Sequence, residues 1–131
     1  MKKEGDFRAS WGGIAGVQST LAVLLDRGYH ARKLPLERIV SLVASKPAER
    51  FQISRKGSLR VGYDADLMLV DPHRSFTLGA SHLQQRHKMS PYIGSPFRGT
   101  VRRTIRRGET IFADGRITST TRGKFIQPHL V

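Results

Sequence analysis

KGSLRVGYDADLMLVDP, residues 56–72, is the stretch on which the fold reading turns. Upstream of it apolar residues recur at helical spacing; from Lys56 onward the period shortens and turn residues separate brief runs. Gly57 and Gly62 bracket residues 58–61, and Asp64-Ala65-Asp66 leads into Leu67, Met68, Leu69 and Val70. Those four residues predict a buried strand bounded by Pro72. The chain therefore passes from helices to strands without βαβ alternation, which predicts an α+β fold or the ends of two different domains.

Working toward the N-terminus, Val17, Leu21, Leu24, Leu25 and Gly28 stand at i, i+4, i+7, i+8 and i+11, predicting a helix over 16–29 that Gly28 ends. Pro35 suits the start of a second helix with Leu36, Ile39, Val40 and Val43 on its apolar face. Pro47 should interrupt that helix, leaving one further turn over 48–51. Toward the C-terminus, Phe76 to Leu78 is a short strand candidate. Residues 79–99, with Gly79, Pro91, Gly94, Pro96 and Gly99, read as loop with a turn of helix near 81–85. Strands over 100–107 and 109–113 should form a hairpin about Arg107-Gly108, and the second should stop at Asp114-Gly115. The tail, 118–131, reads as a loosely packed extension.

At 131 residues the chain has room for one domain and none for a complete (β/α)8 barrel, which takes roughly 250 residues. Its composition, 38% hydrophobic and 25% charged, supplies a core and argues against wholesale disorder. The net charge of +13 draws attention to polyanions: nucleic acid, anionic membrane or acidic substrates. Cysteine is absent, so disulfides, thiolate zinc sites and a cysteine nucleophile are excluded. No apolar run reaches the ~18 residues of a spanning helix, and Met1-Lys2-Lys3-Glu4 precedes no apolar signal segment, so a cytoplasmic location is expected.

Few residues have the spacing that chemistry needs. The histidines, His30, His73, His82, His87 and His129, contain neither a His-x-His pair nor a helical i, i+4 pair, and capping or surface roles suit them better than a metal. There is no nucleophile elbow and no phosphate loop, and Ser81 and Ser90 lie where serine ordinarily bonds to backbone. Asp64 and Asp66 read as turn-forming carboxylates before they read as a general acid and base. The arginines at 98, 102, 103, 106 and 107 split on a strand, with Arg103 and Arg107 on the face of Val101 and Ile105, and Arg102 and Arg106 on that of Thr104. Aromatic residues do not alternate through them, so a solvated strand is preferred to a nucleic-acid patch. The segment 10–18, Ser-Trp-Gly-Gly-Ile-Ala-Gly-Val-Gln, is different. Its glycines, just before a helix, allow backbone amides to approach a ligand, although a ligand-free junction would use the same residues.

From this segment on, WGGIAGVQSTL (11–21), RGYHARKLPLERIVSLVASKPAERF (27–51), residues 56–72 and RHKMSPYIGSPFRGTVRRTIRRGETIFADGRI (86–117) together resemble the C-terminal part of the allantoinases. These belong with dihydroorotases and hydantoinases to the cyclic amidohydrolases. The resemblance implies a metal-dependent hydrolase that opens a ring amide, allantoin to allantoate or a related cyclic ureide. It also implies two divalent metals, expected to be zinc, in a (β/α)8 barrel. The ligands of such metals, histidines including a His-x-His pair, a carboxylated lysine and an aspartate, find no match in this chain, and Asp6 does not fill the aspartate's place. Gly12 and Gly13 are implied as substrate-binding residues that act through the backbone. Residues 1–55 would then be the end of the barrel, its last loop and helices. Residues 56–117 would be strands of the small accessory β-sandwich with an irregular 79–99 insertion, and 118–131 a tail.

Such a chain is expected to be inactive in isolation and to leave apolar faces uncovered, with low stability and association as consequences. A homo-oligomer is the expected assembly, and neither nucleic acid nor membrane is an expected partner. The alternative is a non-catalytic basic module that binds nucleic acid or a partner protein.

Overall fold

The computed structural model describes residues 13–128, in which two helical segments precede a four-stranded antiparallel sheet. Helix α1, residues 17–31, runs without interruption from a 3₁₀ turn, Val17–Ser19, through an α-helical turn, Thr20–Val23, into a π-helical stretch, Leu24–Ala31. Helix α2, residues 36–50, follows the extended Pro35 and joins α-helical Leu36–Val40, π-helical Ser41–Ser45 and α-helical Lys46–Arg50.

Both expected helix ends are corrected. Gly28 does not terminate α1: it is buried within it, and a Cβ built there would lie 3.4 Å from Leu34 Cδ1 and 3.7 Å from Ile39 Cδ1. The missing side chain is thus where α1 receives the start of α2, and Ile39 is 2% exposed in consequence. Pro47 does not break α2 either. The π-helical stretch before it widens the turn, with the Lys46 N–H donating to the Ser41 carbonyl, so the ring avoids the carbonyl it would otherwise strike. The apolar stripes also shift. Val17 is 90% exposed because the tight 3₁₀ turn takes it out of line with the α-helical face, and Ser19 is buried instead. Val40 and Val43 are exposed as well.

The sheet is a meander in the order β1 (Leu67–Thr77), β2 (Pro96–Arg106), β3 (Glu109–Ala113) and β4 (Arg116–Ile117). Pro72 does not bound β1. The pairing passes from Asp71 with Thr100 to Ser75 with Arg98, so β1 bulges around Pro72 and then resumes. The Asp71 carboxylate closes the bulge by accepting the His73 and Arg74 backbone N–H groups, each at 3.0 Å, and these bonds hold its pKa below the usual carboxylate range. The strand expected to be buried is half open, with Met68 and Leu69 both exposed. The β2–β3 hairpin forms as expected about Arg107 (φ 48°) and Gly108 (φ 85°), both in the left-handed region that a two-residue turn demands.

Leu25 and Ile39 are buried on the helices as expected, but part of the core lies in a segment that reads as loop. Leu78, Leu83 and Phe97 are buried together, with Ala22 and Val23 of α1, Phe76 and Tyr92 packed against them. Residues 78–95 are pinned across their base by the Leu78 N–H to the Ser95 carbonyl (3.1 Å) and the Gly94 N–H to the Leu78 carbonyl (2.8 Å). Helix α1 crosses β2 where Gly99, at φ 110°, has no side chain: a Cβ there would sit 2.7 Å from Leu25 Cβ. Beside it the Arg98 backbone N–H donates to the Asp26 carboxylate at 3.1 Å, and farther along His30 Nε2 lies 2.6 Å from the Pro72 carbonyl oxygen.

Candidate functional site

The glycine-rich segment ahead of α1 is the most specialised place that the sequence singles out. Gly12 lies outside the described residues. Gly13 is exposed, with φ 84° and open space where a side chain would project. The backbone then reaches Gly16, whose carbonyl accepts the Ser19 N–H at 2.9 Å and opens the first turn of α1. A Cβ on Gly16 would approach Tyr92 Cε2 to 3.3 Å, so the segment rests directly on the tyrosine of the 78–95 loop.

Gln18 joins the same two segments. Its Nε2 donates to the His82 carbonyl at 2.8 Å, and its Oε1 accepts the Gln84 N–H at 2.8 Å. Helical periodicity passes over Gln18, because it belongs to no apolar stripe and only the folded loop supplies its partners.

The other candidates resolve into structural roles. Asp64 is bonded by Lys56 (2.8 Å) and Arg55, and these bonds hold its carboxyl below the usual range. Partial burial would raise the Asp66 pKa, but the bonds from Lys56 and from the Arg107 backbone N–H (2.7 Å) outweigh it and the net shift is downward. With the Gly108 N–H on the Ala65 carbonyl at 3.1 Å, the pair fastens residues 55–66 to the hairpin turn. Among the arginines, Arg102 pairs with Asp114 at 2.6 Å. Arg106 reaches Glu109 at 3.7 Å and donates to the Thr121 carbonyl at 2.9 Å. Arg107 occupies the turn and not the strand face expected for it. His82 Nδ1 accepts the Gly79 N–H at 3.0 Å, a capping role. His129 lies outside the described residues.

Among the described residues no three His, Cys, Asp or Glu side chains converge as metal ligands would. His30 and His73 come within 5.9 Å, ring to ring, yet His30 is engaged with the Pro72 carbonyl. These residues do not fit the paired metal centre that the resemblance implies. An open cleft of about 410 Å³ lies between α2 and residues 52–63, lined by Ala48, Gln52, Ile53, Lys56 and Tyr63 among others, and shares no residue with the glycine segment. None of the described helices is long and apolar enough to cross a membrane.

Comparison with known proteins bears on all of this geometry at once. The family model described as the amidohydrolase family matches residues 12–111. The allantoinase of Desulfitobacterium hafniense strain Y51 is 50% identical over 127 residues, covering 97% of this chain and 28% of that protein. The allantoinase of Solibacter usitatus is 52% identical over 128 residues, covering 98% of this chain and again 28% of its own length. Among solved structures, L-hydantoinase (dihydropyrimidinase) from Arthrobacter aurescens superposes with a TM-score of 0.81 at 34% identity, over 87% of this chain and 26% of that one. A D-hydantoinase gives 0.78 at 31% identity, over 86% and 24%. The chain thus spans about a quarter of the length of the relatives it matches.

Proposed function

This chain belongs to the amidohydrolase family, and on that footing we propose that it is the C-terminal portion of an allantoinase-like hydrolase that opens a cyclic ureide, allantoin to allantoate. The observation that carries the reading is 50% identity to an allantoinase across 97% of the chain, including the glycine segment and the loop bearing Tyr92. In this reading α1 and α2 are the last helices of a (β/α)8 barrel, and β1–β4 are part of the accessory β-sandwich. Gly12 and Gly13 present backbone N–H and C=O groups to the ring amide of the substrate. A backbone contact suits such a ligand because a cyclic ureide offers alternating donors and acceptors in one plane, and an unbranched chain can come close to it.

The two divalent metals that go with this chemistry, zinc by expectation, would be held by residues other than those described here. The 131-residue chain by itself is accordingly proposed to be inactive, and the active polypeptide to be cytoplasmic and homo-oligomeric. The competing idea of a basic nucleic-acid module loses ground because Arg102 and Arg106 are engaged by Asp114, Glu109 and Thr121 within the fold.

The test is to purify the native polypeptide that carries this sequence, record its intact mass, and assay allantoin against dihydroorotate, hydantoin and dihydrouracil. Turnover of allantoin above the other three, lost in the 131-residue chain alone, is the expected result. Preference for another ring amide would reassign the substrate, and a native mass of 14.7 kDa with no ring opening would remove the reading. In the active polypeptide Gly13→Val should raise the KM for allantoin about tenfold, since φ 84° is strained for a branched residue.

A further inference from the structure

We propose that Gln18 is a positioning residue that locks the 82–84 backbone to the glycine segment, so that the two move as one wall of the substrate site. The proposal rests on the reading of that segment as substrate-facing. Its physical basis is the chemistry of the primary amide. Gln18 donates to the His82 carbonyl and accepts the Gln84 N–H, both at 2.8 Å, with the two partners separated by Leu83. This is how a peptide group pairs in a sheet, here supplied by a side chain. A planar group that both donates and accepts is found only in glutamine and asparagine among uncharged side chains of this shape, and asparagine is one methylene shorter.

The place it grips matters as much as the grip. Leu83 is 1% exposed, the most deeply buried side chain among the described residues, so its flanking backbone is anchored in the core and has little freedom to find other partners. The bond therefore transmits the position of the core to the first turn of α1. A second contact acts independently on the same pair of segments, because Gly16 lies against the Tyr92 ring with 3.3 Å to any Cβ. Gln18 is itself exposed, so the two hydrogen bonds and not burial fix its side chain.

The experiment pairs amide hydrogen exchange with steady-state kinetics, both on the native polypeptide, for wild type, Gln18→Ala and Gln18→Glu. All three residues are good helix formers, so α1 itself is little perturbed. In Gln18→Ala the Gln84 amide should exchange about tenfold faster, and the KM for allantoin should rise about fivefold with kcat within about twofold. Gln18→Glu keeps the acceptor and loses the donor, so Gln84 should stay protected while the KM takes an intermediate value. Unchanged Gln84 exchange in Gln18→Ala, or equal behaviour of the two variants, would overturn the proposal. So would a fall in thermal midpoint with no change in KM, which is the signature of a merely structural role. If the wild-type polypeptide fails to turn over allantoin while Gln84 exchange responds as described, the functional reading falls and the coupling of the two segments stands.

Discussion

The half of the molecule in which α1 meets residues 76–99 and the half formed by the outer ends of the strands use the same kinds of residue to opposite effect. In the first, Leu25, Leu78, Leu83 and Phe97 are buried, and the helix is held to the sheet at Asp26 and His30 and to the 78–95 loop at Gln18. In the second, Met68, Thr104, Phe112 and Ile117 form one row across all four strands, and Met68 and Ile117 remain 46% and 62% exposed. The opposite face carries Leu69, Arg103, Ala113 and Arg116 in register. What differs is the presence of a second layer. A sheet buries its apolar face only against another element, and the outer strands have none within the described residues, so polar fastenings at the turns hold them. Exposed apolar side chains are not confined to this half: Val40, Leu42 and Val43 on α2, Phe51 after it, and Leu59 and Val61 are exposed as well.

The sharpest way to break the contrast is at the helix–sheet crossing. Gly99→Ala places a methyl 2.7 Å from Leu25 Cβ at a φ of 110°, combining overpacking with backbone strain. It should cost about 3 kcal/mol and lower the thermal midpoint of the chain accordingly. Retention of the wild-type midpoint would mean that α1 does not press on β2 as closely as this geometry requires. The converse substitutions belong on the outer face. Met68→Lys with Ile117→Lys removes apolar area that is already half in water, so stability should change by less than about 0.5 kcal/mol. Self-association, followed by light scattering against concentration, should decrease. A large loss of stability would show that this face is covered, by a second copy or another chain.

The same contrast explains which parts of the fold could be read from the residues alone. The hairpin is legible because Arg107-Gly108 and Asp114-Gly115 carry the local chemistry of left-handed turns, and each pair does adopt positive φ. The two-residue β4 has no such signal of its own. Leu25 and Ile39 are buried as their helical spacing predicts, but the cluster around Leu83 is illegible for the opposite reason. Leu83, Tyr92 and Phe97 follow neither a helical nor a strand period, and what packs them with Leu78 is α1, some sixty residues earlier in the chain. Pro72 and Pro47 mislead in the same way, because a bulge closed by Asp71 and a widened helical turn absorb them. Of the candidate site, the glycines are visible as composition and the resemblance gives them a role. The clamp at Gln18 depends wholly on a distant partner, and nothing in its neighbourhood announces it.

The smallest effect tests the fastening of the outer half through its charges. Asp64 and Asp66 have pKa values below the ordinary carboxylate range, and Lys56 lies above its ordinary value because its bonds to both carboxylates outweigh its partial burial. A carboxylate depressed in the folded state contributes stability that is complete above its unfolded pKa and is lost as the pH falls through the folded one. A lysine raised in the folded state contributes fully below its unfolded pKa, and that contribution is lost as the pH rises through the folded value. The fastening should thus be constant between about pH 5 and pH 9 and loosen on either side. Its reporters are the Arg107 and Gly108 amides, which donate to the Asp66 carboxylate and the Ala65 carbonyl. Their protection against exchange should fall below about pH 4, while that of the Gly94 amide, bonded to Leu78 in the inner half, should hold. Asp66→Asn should abolish the pH dependence at Arg107, and because these groups are solvent-accessible, added salt should weaken the whole effect. Equal loss at Gly94 and Gly108 would mean that the two halves open as one unit, and that the inner core is no more secure than the sheet it supports.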